Sequence, residues 1–505
     1  MTTHIEIMDT TLRDGEQTSG VSFSASEKLS IARLLLEELK VHRVEIASAR
    51  VSDGERDAVR ALCEWGQATG NLNKLEVLGF LDNGKSIQWI KDVGAKVVNI
   101  LSKGSEKHCR LQLKQTPEEH AENIRREVAR AVDAGLEVNL YLEDWSNGMK
   151  NSPSYVFNLM NAIMDLPIKR FLLPDTLGIL NPYDTLAFMH KMTTRYPSLH
   201  FDFHAHNDYD LATANVYAAI KGGAKGIHAT INGLGERAGN ATLSSALAVI
   251  HDQLQCETGV DESKVNKASR IVASFSGITI PPNKPIIGES VFTQCAGVHA
   301  DGDNKNNLYY NDLLPERFGR EREYALGKTS GKANIKKNLE ALGIVLSDKD
   351  IQKVTRRIIE LGDKKELVTQ EDLPFIVADV IKHKEQLDKV RVINYALNLS
   401  QGLRPSATVK LSIDGTEYQA TAAGDGQYDA FVKAVRSIYS RLGREFPALT
   451  NYAVNIPPGG RTDALVHTTI SWDFNGHSMK TRGLDADQTE AAIQATLKML
   501  NIIEN

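Results

Sequence analysis

The sequence predicts an α/β protein that begins with a (β/α)8 TIM barrel and continues into a mainly helical subdomain and a C-terminal α+β domain with duplicated ββα units. The chain has 505 residues, whereas a single hydrophobic core stops growing at about 250–300 residues. Short β-branched runs alternate with segments of helical period between residues 5 and 253. Eight strand-helix pairs in about 250 residues fit the barrel better than a doubly wound sheet.

The elements of the barrel follow from this alternation. Eight apolar runs of strand length are predicted as its strands: Ile5–Met8, Val44–Ala47, Leu75–Leu78, Val97–Leu101, Val138–Leu142, Arg170–Leu173, His200–His204 and Gly226–Ile231. Several helices between them open with Ser, Thr or Asp as capping residues. The clearest predicted helices are Ser26–Leu39, Pro117–Ala134, Pro153–Asp165 and Ala212–Lys221.

The remainder of the chain is predicted as three further segments after a catalytic barrel at residues 1–260. Residues 261–285 lose the helical period and carry three prolines, which indicates a linker. Residues 286–400 are mainly helical, and 401–505 form the C-terminal domain. There, 407–442 and 466–500 each indicate strand, Asp-Gly or Asn-Gly hairpin turn, strand, loop and helix.

Composition excludes several functional classes. Apolar residues make up 42% and charged residues 24%, with a net charge of −5, which gives no basic footprint for nucleic acid. No apolar stretch approaches the length of about 18 residues that a membrane span requires, and the N-terminus lacks an export signal. The four cysteines show no CxxC spacing, so neither disulfides nor a thiolate zinc site is predicted. We therefore expect a cytoplasmic protein with reduced thiols.

Unusual polar residues cluster directly after five of the predicted strands. They are the run TLRDGEQ after strand 1, Glu143 and Asp144 after strand 5, Thr176 after strand 6, HAHND ending strand 7, and NGLGERAGN after strand 8. In a (β/α)8 barrel the carboxyl ends of the strands carry the chemistry. Five such clusters at one end of the barrel predict an active site there.

A metal site is predicted within these clusters. His204 and His206 stand at i and i+2 of a strand, so their imidazoles point to the same face. Asp14 adds a carboxylate from the strand-1 loop. Without a thiolate, this set suits Mg²⁺, Mn²⁺ or Zn²⁺ with open positions for substrate. Asn240 is expected to be either a fourth ligand or a turn residue that caps the next helix, and the sequence favours neither role.

Such a metal would act as a Lewis acid on a 2-oxo acid. Arg13, beside Asp14, is then expected to stabilise the oxygen that becomes an alkoxide; its alternative is an ion pair with Glu16 or Asp9. Thr176 offers a hydroxyl to the substrate carboxylate, and Glu143 could hold a water or assist proton transfer. Both residues could equally support the site without touching substrate.

The motifs DTTLRDGEQ, HAHND and NGLGERAGN together resemble the metal-dependent Claisen-condensing barrels, which include isopropylmalate, homocitrate and citramalate synthases. The resemblance continues through GVHADGDNKNNLYYNDLLPERFGRER to the C-terminal repeat. Three sequence segments are most similar to those of the (R)-citramalate synthase branch: RVEIASARVS, NLYLEDWSNG and IPPGGRTDALV. The resemblance implies an acyltransferase that joins acetyl-CoA to pyruvate in isoleucine biosynthesis, with Arg13, Asp14, Glu143, Thr176, His204 and His206 in its active site.

The resemblance also implies roles that the barrel pattern does not supply. His299 and Asp301 would be a catalytic pair that handles a proton of acetyl-CoA, on a subdomain that reaches over the active site of a partner subunit in a homodimer. The CoA-contacting stretch would be Asn307, Leu308 and Tyr309. An amino-acid effector, isoleucine, would bind the C-terminal regulatory domain at Tyr428, Asp429, Leu449, Tyr452, Ile456, Val466 and Gln488.

The substrate side-chain pocket would be lined by Leu78, Leu101 and Tyr141. Bulky apolar groups favour a methyl, and they give a second carboxylate no cation to pair with. The alternative is that these three are barrel-core residues. Two other activities stay open: a 2-isopropylmalate synthase that uses 2-oxoisovalerate, and an acyl-CoA lyase of the same barrel type. The long C-terminal extension argues against a lyase, because lyases of this type are usually near barrel length.

Overall fold

The computed structural model describes residues 3–295, 308, 311–363, 368, 370–381, 389–455 and 466–504. The chain divides into two compact units. The first comprises Met1–Phe292 and Asn311–Arg322, and the second comprises Thr293–Tyr310 and Glu323–Asn505. In the described part of the chain, no helix is long and apolar enough to cross a membrane. All four cysteines are free thiols, as predicted.

The first unit is a closed barrel of eight parallel strands, which confirms the predicted fold. Each strand pairs with the next along the chain, and β1 closes the barrel by pairing in parallel with β8. The strands are β1 (Glu6–Asp9), β2 (Arg43–Ser48), β3 (Leu75–Phe80), β4 (Val97–Lys103), β5 (Glu137–Glu143), β6 (Ile168–Asp175), β7 (Phe201–Ala205) and β8 (Gly226–Ala229).

Helices surround the barrel at the predicted positions. The helix Ala25–Arg33 begins at a capping box in which Ser24 and Glu27 bond to each other's backbone N–H groups, and it continues as a π-helical turn at Leu34–Glu38. A second capping box opens Pro117–Asp133. The other α-helices of this unit are Asp53–Thr69, Lys85–Asp92, Glu106–Leu111, Trp145–Asn151, Pro153–Ile163, Pro182–Arg195, Ala212–Lys221, Leu243–Ala248 and Val265–Ser276.

The last of these helices corrects the predicted linker. Val265–Ser276 has a regular helical period and buries Val265, Ala268 and Val272 in the same core as the barrel. Its buried positions include small residues, Ala and Ser, beside the valines. The absence of helical period predicted for 261–285 was therefore wrong. The four domain boundaries themselves stay a prediction.

The two faces of the strands have different environments. Alternate residues such as Ile7, Val44 and Phe203 pack into the layer between strands and helices. The other residues point into the barrel, where Met8, Leu78, Tyr141 and Leu172 form a small apolar cluster with Leu101 against it. Buried charged and polar residues share this interior: Arg43, Glu45, Glu76, Asn99, Asn139, Asp202 and His228.

The second unit begins with a helical part. A two-stranded parallel pair, β9 (Thr293–Gln294) and β10 (Glu323–Tyr324), precedes the helices Lys332–Ala341, Asp348–Asp363 and Leu373–Ile381. These helices share a core that includes Ile335, Leu339, Val354, Ile358 and Leu373. The prediction of a helical subdomain is confirmed here. Within the predicted mainly helical segment 286–400, Val390–Asn398 forms a strand.

That strand completes the C-terminal repeat. The first half is the antiparallel sheet β11 (Val390–Asn398), β12 (Ser406–Ile413) and β13 (Thr416–Ala423), followed by the helix Gln427–Arg441; the second is β14 (Ala448–Asn455), β15 (Val466–Phe474) and β16 (His477–Asp485), followed by Gln488–Glu504. The predicted Asp-Gly and Asn-Gly turns are present, with both residues of each at positive φ. Each half is therefore βββα, and the predicted ββα unit lacked its first strand.

Candidate metal centre and substrate pocket

Three buried side chains converge at the carboxyl end of the barrel. Asp14 lies in the loop after β1, His204 lies in β7, and His206 follows that strand by one residue. Oδ2 of Asp14 is 3.1 Å from Nε2 of His204 and 3.8 Å from Nε2 of His206, and the two imidazole nitrogens are 3.3 Å apart. Among the described residues, this is the one group of three histidine, cysteine or carboxylate side chains close enough to hold a metal ion.

The protonation states of this group suit a cation. Burial would raise the pKa of Asp14, but the Arg13 guanidinium and the hydrogen bond from His204 outweigh it and hold that pKa well below its usual range. Burial lowers the pKa of His204, and it lowers the pKa of His206 to about 4. An ionised carboxylate beside two neutral imidazoles is the form in which these side chains bind a metal.

Asn240 carries a buried amide oxygen that could serve as a fourth ligand. Its backbone pairs with that of His206 in an isolated β-bridge, and its Nδ2 donates to the carbonyl oxygen of Leu234 at 2.9 Å. Its Oδ1 is buried and accepts no hydrogen bond from any residue that the structure describes. The alternative role is wrong, because a cap would use this oxygen, and the residue that precedes the next helix is Thr242. The donor set of two imidazoles, a carboxylate and an amide oxygen fits Mg²⁺, Mn²⁺ or Zn²⁺.

Arg13 lies between this cluster and the barrel interior. Its guanidinium nitrogens approach Oδ1 of Asp14 at 3.6 Å, Oε2 of Glu45 at 2.5 Å and the hydroxyl of Tyr141 at 3.4 Å. Burial would lower the pKa of Arg13, but Glu45 and Asp14 together raise it, so the side chain stays cationic. The main partner of Arg13 is thus Glu45 from β2.

Glu16 and Asp9, the two alternative ion-pair partners predicted for Arg13, contact other groups. Glu16 accepts the backbone N–H of Phe23 and forms an ion pair with Lys28, while Asp9 accepts the N–H of Thr11. An ion pair of Arg13 with either residue was therefore a wrong alternative. Glu45 could have been suspected from RVEIAS, where charges interrupt a buried strand.

The three predicted pocket residues lie together inside the barrel. Leu78, Leu101 and Tyr141 belong to the cluster completed by Met8 and Leu172. The ring of Tyr141 stands edge-on to that of His204, with centroids 6.3 Å apart, so the cluster adjoins the candidate metal centre. Tyr141 is not purely apolar, however, because its hydroxyl lies 3.3 Å from Glu45 and 3.2 Å from Nδ1 of His228.

His228 and Asp202 extend this polar contact down the barrel. Nε2 of His228 lies 3.2 Å from Oδ2 of Asp202, which also accepts a 2.5 Å hydrogen bond from Arg43. A chain of buried contacts thus joins Tyr141 to the opposite end of the barrel. These residues are absent from the strand-end motifs, since they lie within strands. Their sequence signal is a charged or histidine residue at an inward-facing strand position.

Glu143 and Thr176 lie at the rim of the site. Glu143 ends β5 and forms an ion pair with Lys103, which the sequence analysis did not single out. Oγ1 of Thr176 accepts the backbone N–H of Asp144 at 2.9 Å, and its carbonyl oxygen accepts from Arg237 at 2.9 Å. The hydroxyl proton of Thr176 remains able to donate to a substrate, so its predicted role stays open.

The predicted acetyl-CoA residues fall mostly outside the described part of the chain. These are His299, Asp301, Asn307 and Tyr309. Leu308 is described, and 69% of its surface is exposed. Their predicted roles remain predictions.

Some of the predicted effector residues come together in the C-terminal domain. The rings of Tyr428 and Tyr452 have centroids 5.4 Å apart, and the hydroxyl of Tyr428 lies 2.8 Å from that of Thr496. Asp429 pairs with Lys433 of its own helix, and Leu449 is 42% exposed on β14. The remaining three are Val466 at the start of β15, Gln488 at the start of the last helix, and Ile456, which lies outside the described residues.

A closed (β/α)8 barrel with a buried Asp-His-His group at the carboxyl ends of its strands defines a barrel enzyme with a candidate divalent-metal centre. Comparison with known families identifies its relatives. Residues 4–272 match the HMGL-like family, 286–366 the homocitrate synthase post-HMGL domain-like family, and 367–504 the LeuA allosteric (dimerisation) domain. The chain belongs to the HMGL-like family.

Individual relatives align along nearly the full chain. The (R)-citramalate synthase of Methanocaldococcus jannaschii is 34% identical over 508 residues, covering 99% of this chain and 100% of the relative. A Methanopyrus kandleri protein provisionally named (R)-citramalate synthase is 33% identical, covering 92% and 89%. Another from that organism, provisionally named 2-isopropylmalate synthase, is 33% identical, covering 99% and 98%. The chain is accordingly an enzyme of this acyltransferase type.

Proposed function

We propose that this enzyme condenses acetyl-CoA with pyruvate and water to form (R)-citramalate and CoA. The observation that carries the proposal is the position of Arg13, which contacts both Asp14 of the candidate metal centre and Tyr141 of the small pocket. A cation between a metal site and an apolar pocket suits a 2-oxo acid. The keto oxygen of such an acid is bonded to the carbon beside the carboxylate, and the short side chain begins at the next carbon. The relatives named (R)-citramalate synthase support the same substrate.

A divalent cation would be held by Asp14, His204, His206 and Asn240. Mg²⁺, Mn²⁺ and Zn²⁺ all accept these ligands, and a bound ion would supply Lewis-acid polarisation of the keto group. The support for this assignment is the convergence of three ligand atoms and the unpaired amide oxygen of Asn240.

The other residues of the barrel would bind and orient pyruvate. Arg13 donates to the keto oxygen as negative charge develops there, and its contact with Glu45 holds the guanidinium in place. The hydroxyl of Thr176 donates to the carboxylate. Leu78 and Leu101 enclose the methyl group and exclude water from it.

Acetyl-CoA would be activated by the predicted pair His299 and Asp301. The imidazole takes a proton from the acetyl methyl, and the carboxylate orients the imidazole. The resulting carbon forms a bond to the keto carbon of pyruvate, whose oxygen then takes a proton and becomes a hydroxyl. Water, which Glu143 would hold, cleaves the thioester to a carboxylate and the CoA thiol. The stretch Asn307, Leu308 and Tyr309 contacts CoA.

A second candidate substrate is 2-oxoisovalerate, because one of the relatives is provisionally named 2-isopropylmalate synthase. Its isopropyl group adds two methyl groups to the side chain. Each added carbon changes binding by about 1–3 kcal/mol in a pocket of this kind, so Leu78, Leu101 and Tyr141 should discriminate against it.

Initial rates with acetyl-CoA and each of pyruvate, 2-oxoisovalerate, oxaloacetate and 2-oxoglutarate test the proposal. We expect kcat/KM to be highest for pyruvate by at least about tenfold. Thiol release should require an added divalent metal. A higher kcat/KM for any other acid would overturn the substrate assignment.

We further propose that the enzyme is a homodimer and that isoleucine inhibits it as the end product of isoleucine biosynthesis. The match of 367–504 to the LeuA allosteric (dimerisation) domain supports a dimer with an allosteric site, and isoleucine is proposed from the citramalate reaction. The adjacent rings of Tyr428 and Tyr452 suit the apolar side chain of the effector. Light scattering measures the oligomeric state, and a fully active monomer would refute the dimer.

A further inference from the structure

Lys103 ends β4 at the rim directly above the candidate pocket. In the β4–β5 ladder Leu101 pairs with Tyr141, and two residues further along Lys103 pairs with Glu143. Successive side chains of a strand alternate between its faces, so Lys103 lies on the same face as Leu101. The ion pair is therefore one layer further toward the carboxyl end than two of the predicted pocket residues.

The Lys103 side chain is largely buried and its backbone is fixed. Only 9% of the Lys103 side chain and 26% of the Glu143 side chain are exposed. The N–H of Lys103 donates to Nε2 of His120 at 3.1 Å, and its carbonyl oxygen accepts from the hydroxyl of Tyr155 at 3.0 Å. With the backbone anchored on both sides, the ammonium group remains close to the rim, where Glu143 neutralises it.

We propose that Lys103 and Glu143 together determine the specificity of the site for 2-oxo acids without a second carboxylate. This inference rests on the proposed function. Glu143 compensates the buried ammonium, so the carboxylate of a dicarboxylic 2-oxo acid would have to displace Glu143 in order to pair with Lys103. A small apolar substituent meets a neutral rim. The pair thus lets the site select its substrate by the charge of the side chain as well as by the size of that side chain.

Removing the charge of Glu143 should create an anion site. In Glu143→Gln, Lys103 becomes a buried cation without its carboxylate partner, and the second carboxylate of oxaloacetate can replace it. We expect the ratio of oxaloacetate to pyruvate affinity to rise at least about tenfold relative to wild type, as a charge-assisted contact would give. In the double variant Lys103→Met/Glu143→Gln the rim is neutral again, and the ratio should return to the wild-type value.

Binding is measured by calorimetry on the full-length protein with Mn²⁺ and without acetyl-CoA, so turnover does not enter. Glu137→Gln is the matched control. Glu137 begins the same strand and forms an ion pair with Lys169 at 2.7 Å, at the other end of the barrel; its loss should leave the ratio unchanged. If Glu143→Gln does not fold, Glu143→Ala removes the same charge with a smaller side chain.

The outcomes separate the two proposals. Wild-type protein that does not bind pyruvate would overturn the proposed function. Wild-type protein that binds pyruvate, with an unchanged ratio in the folded Glu143 variants, would overturn the role of Lys103. A raised ratio that persists in the double variant would also overturn it, because the gain would then not come from the lysine. A purely structural ion pair would lower stability in the Glu143 variants without changing the ratio.

Discussion

At the scale of single residues, Arg13 depends on carboxylates that approach it from two sides. Glu45 from β2 and Asp14 from the β1 loop both lie within ion-pair distance of its guanidinium. Asp14 also belongs to the metal group, so Glu45 is the partner that can hold Arg13 when Asp14 binds a cation. A residue absent from the strand-end motifs therefore supports the group that should meet the keto oxygen.

Glu45→Gln should therefore reduce both stability and rate. It leaves Arg13 in the barrel without its closest carboxylate, and breaking a buried ion pair in this way costs about 3 kcal/mol. Urea denaturation measures the free energy of unfolding, and kcat with pyruvate measures the second effect. Glu106→Gln, which breaks an exposed pair with Arg110, should cost less than about 1 kcal/mol. Equal losses in the two variants would contradict this role for Glu45.

His204→Ala should reduce metal affinity. It removes one of three converging ligand atoms, so we expect the Kd for Mn²⁺ to rise by at least about a hundredfold. Calorimetric titration of the metal-free protein gives this value directly. His190→Ala, on an exposed position of the helix Pro182–Arg195, is the control and should bind Mn²⁺ like wild type. Unchanged affinity in His204→Ala would exclude it as a ligand.

How far the sequence predicts the site depends on where each residue lies. Asp14, His204 and His206 are recognisable because they end strands, and the closed barrel brings all strand ends together. Glu45 and His228 lie inside strands, and their partners come from strands that are distant in the chain. Which partner each one meets depends on the stagger around the barrel, which a single sequence does not specify.

At the scale of elements, the barrel strands are the part of the chain that the sequence predicts most fully. They are buried on both faces and rich in apolar residues, which the sequence displays, although charged or amide residues interrupt several of them. Most residues of β11 (Val390–Asn398) are exposed or half-buried, so no clear apolar alternation marks it as a strand. The helix Val265–Ser276 has a clear helical period, and the prediction of a linker rested on the three prolines that follow the helix.

The contact between the helix Pro117–Asp133 and β4 makes stability depend on pH. Burial of His120 lowers its pKa from 6.5 to about 4, and its Nε2 accepts a hydrogen bond from the N–H of Lys103. As pH falls below 6.5 the unfolded chain binds a proton that the folded chain does not, so folding stability decreases until pH reaches about 4.

The predicted loss between these pH values is up to about 3 kcal/mol from this group. Denaturation of wild type and of His120→Gln at a series of pH values tests it. Glutamine can accept the same backbone N–H but does not titrate, so the variant should lose less stability on acidification. Parallel pH profiles for the two proteins would contradict the assignment to His120.

At the scale of the whole molecule, the candidate catalytic site and the candidate effector site belong to different compact units. The metal group and pocket lie in the barrel unit, whereas Tyr428 and Tyr452 lie in the C-terminal repeat. Feedback by isoleucine therefore requires a coupling free energy between the units. Such a coupling is reciprocal for binding: a substrate must change the affinity for isoleucine by the same factor that isoleucine changes the affinity for the substrate.

Calorimetric titrations of isoleucine with and without saturating pyruvate, and of pyruvate with and without isoleucine, should give the same factor, about 5-fold or more. Tyr452→Ala should weaken isoleucine binding and remove inhibition while kcat without isoleucine stays within about twofold of wild type, because Tyr452 lies outside the barrel unit. Tyr183→Ala, at an exposed position of the barrel unit, should remain inhibited. Inhibition that survives in Tyr452→Ala with unchanged isoleucine affinity would exclude this residue from the effector site. A factor of one in both titrations would exclude a coupling between the binding of isoleucine and the binding of pyruvate.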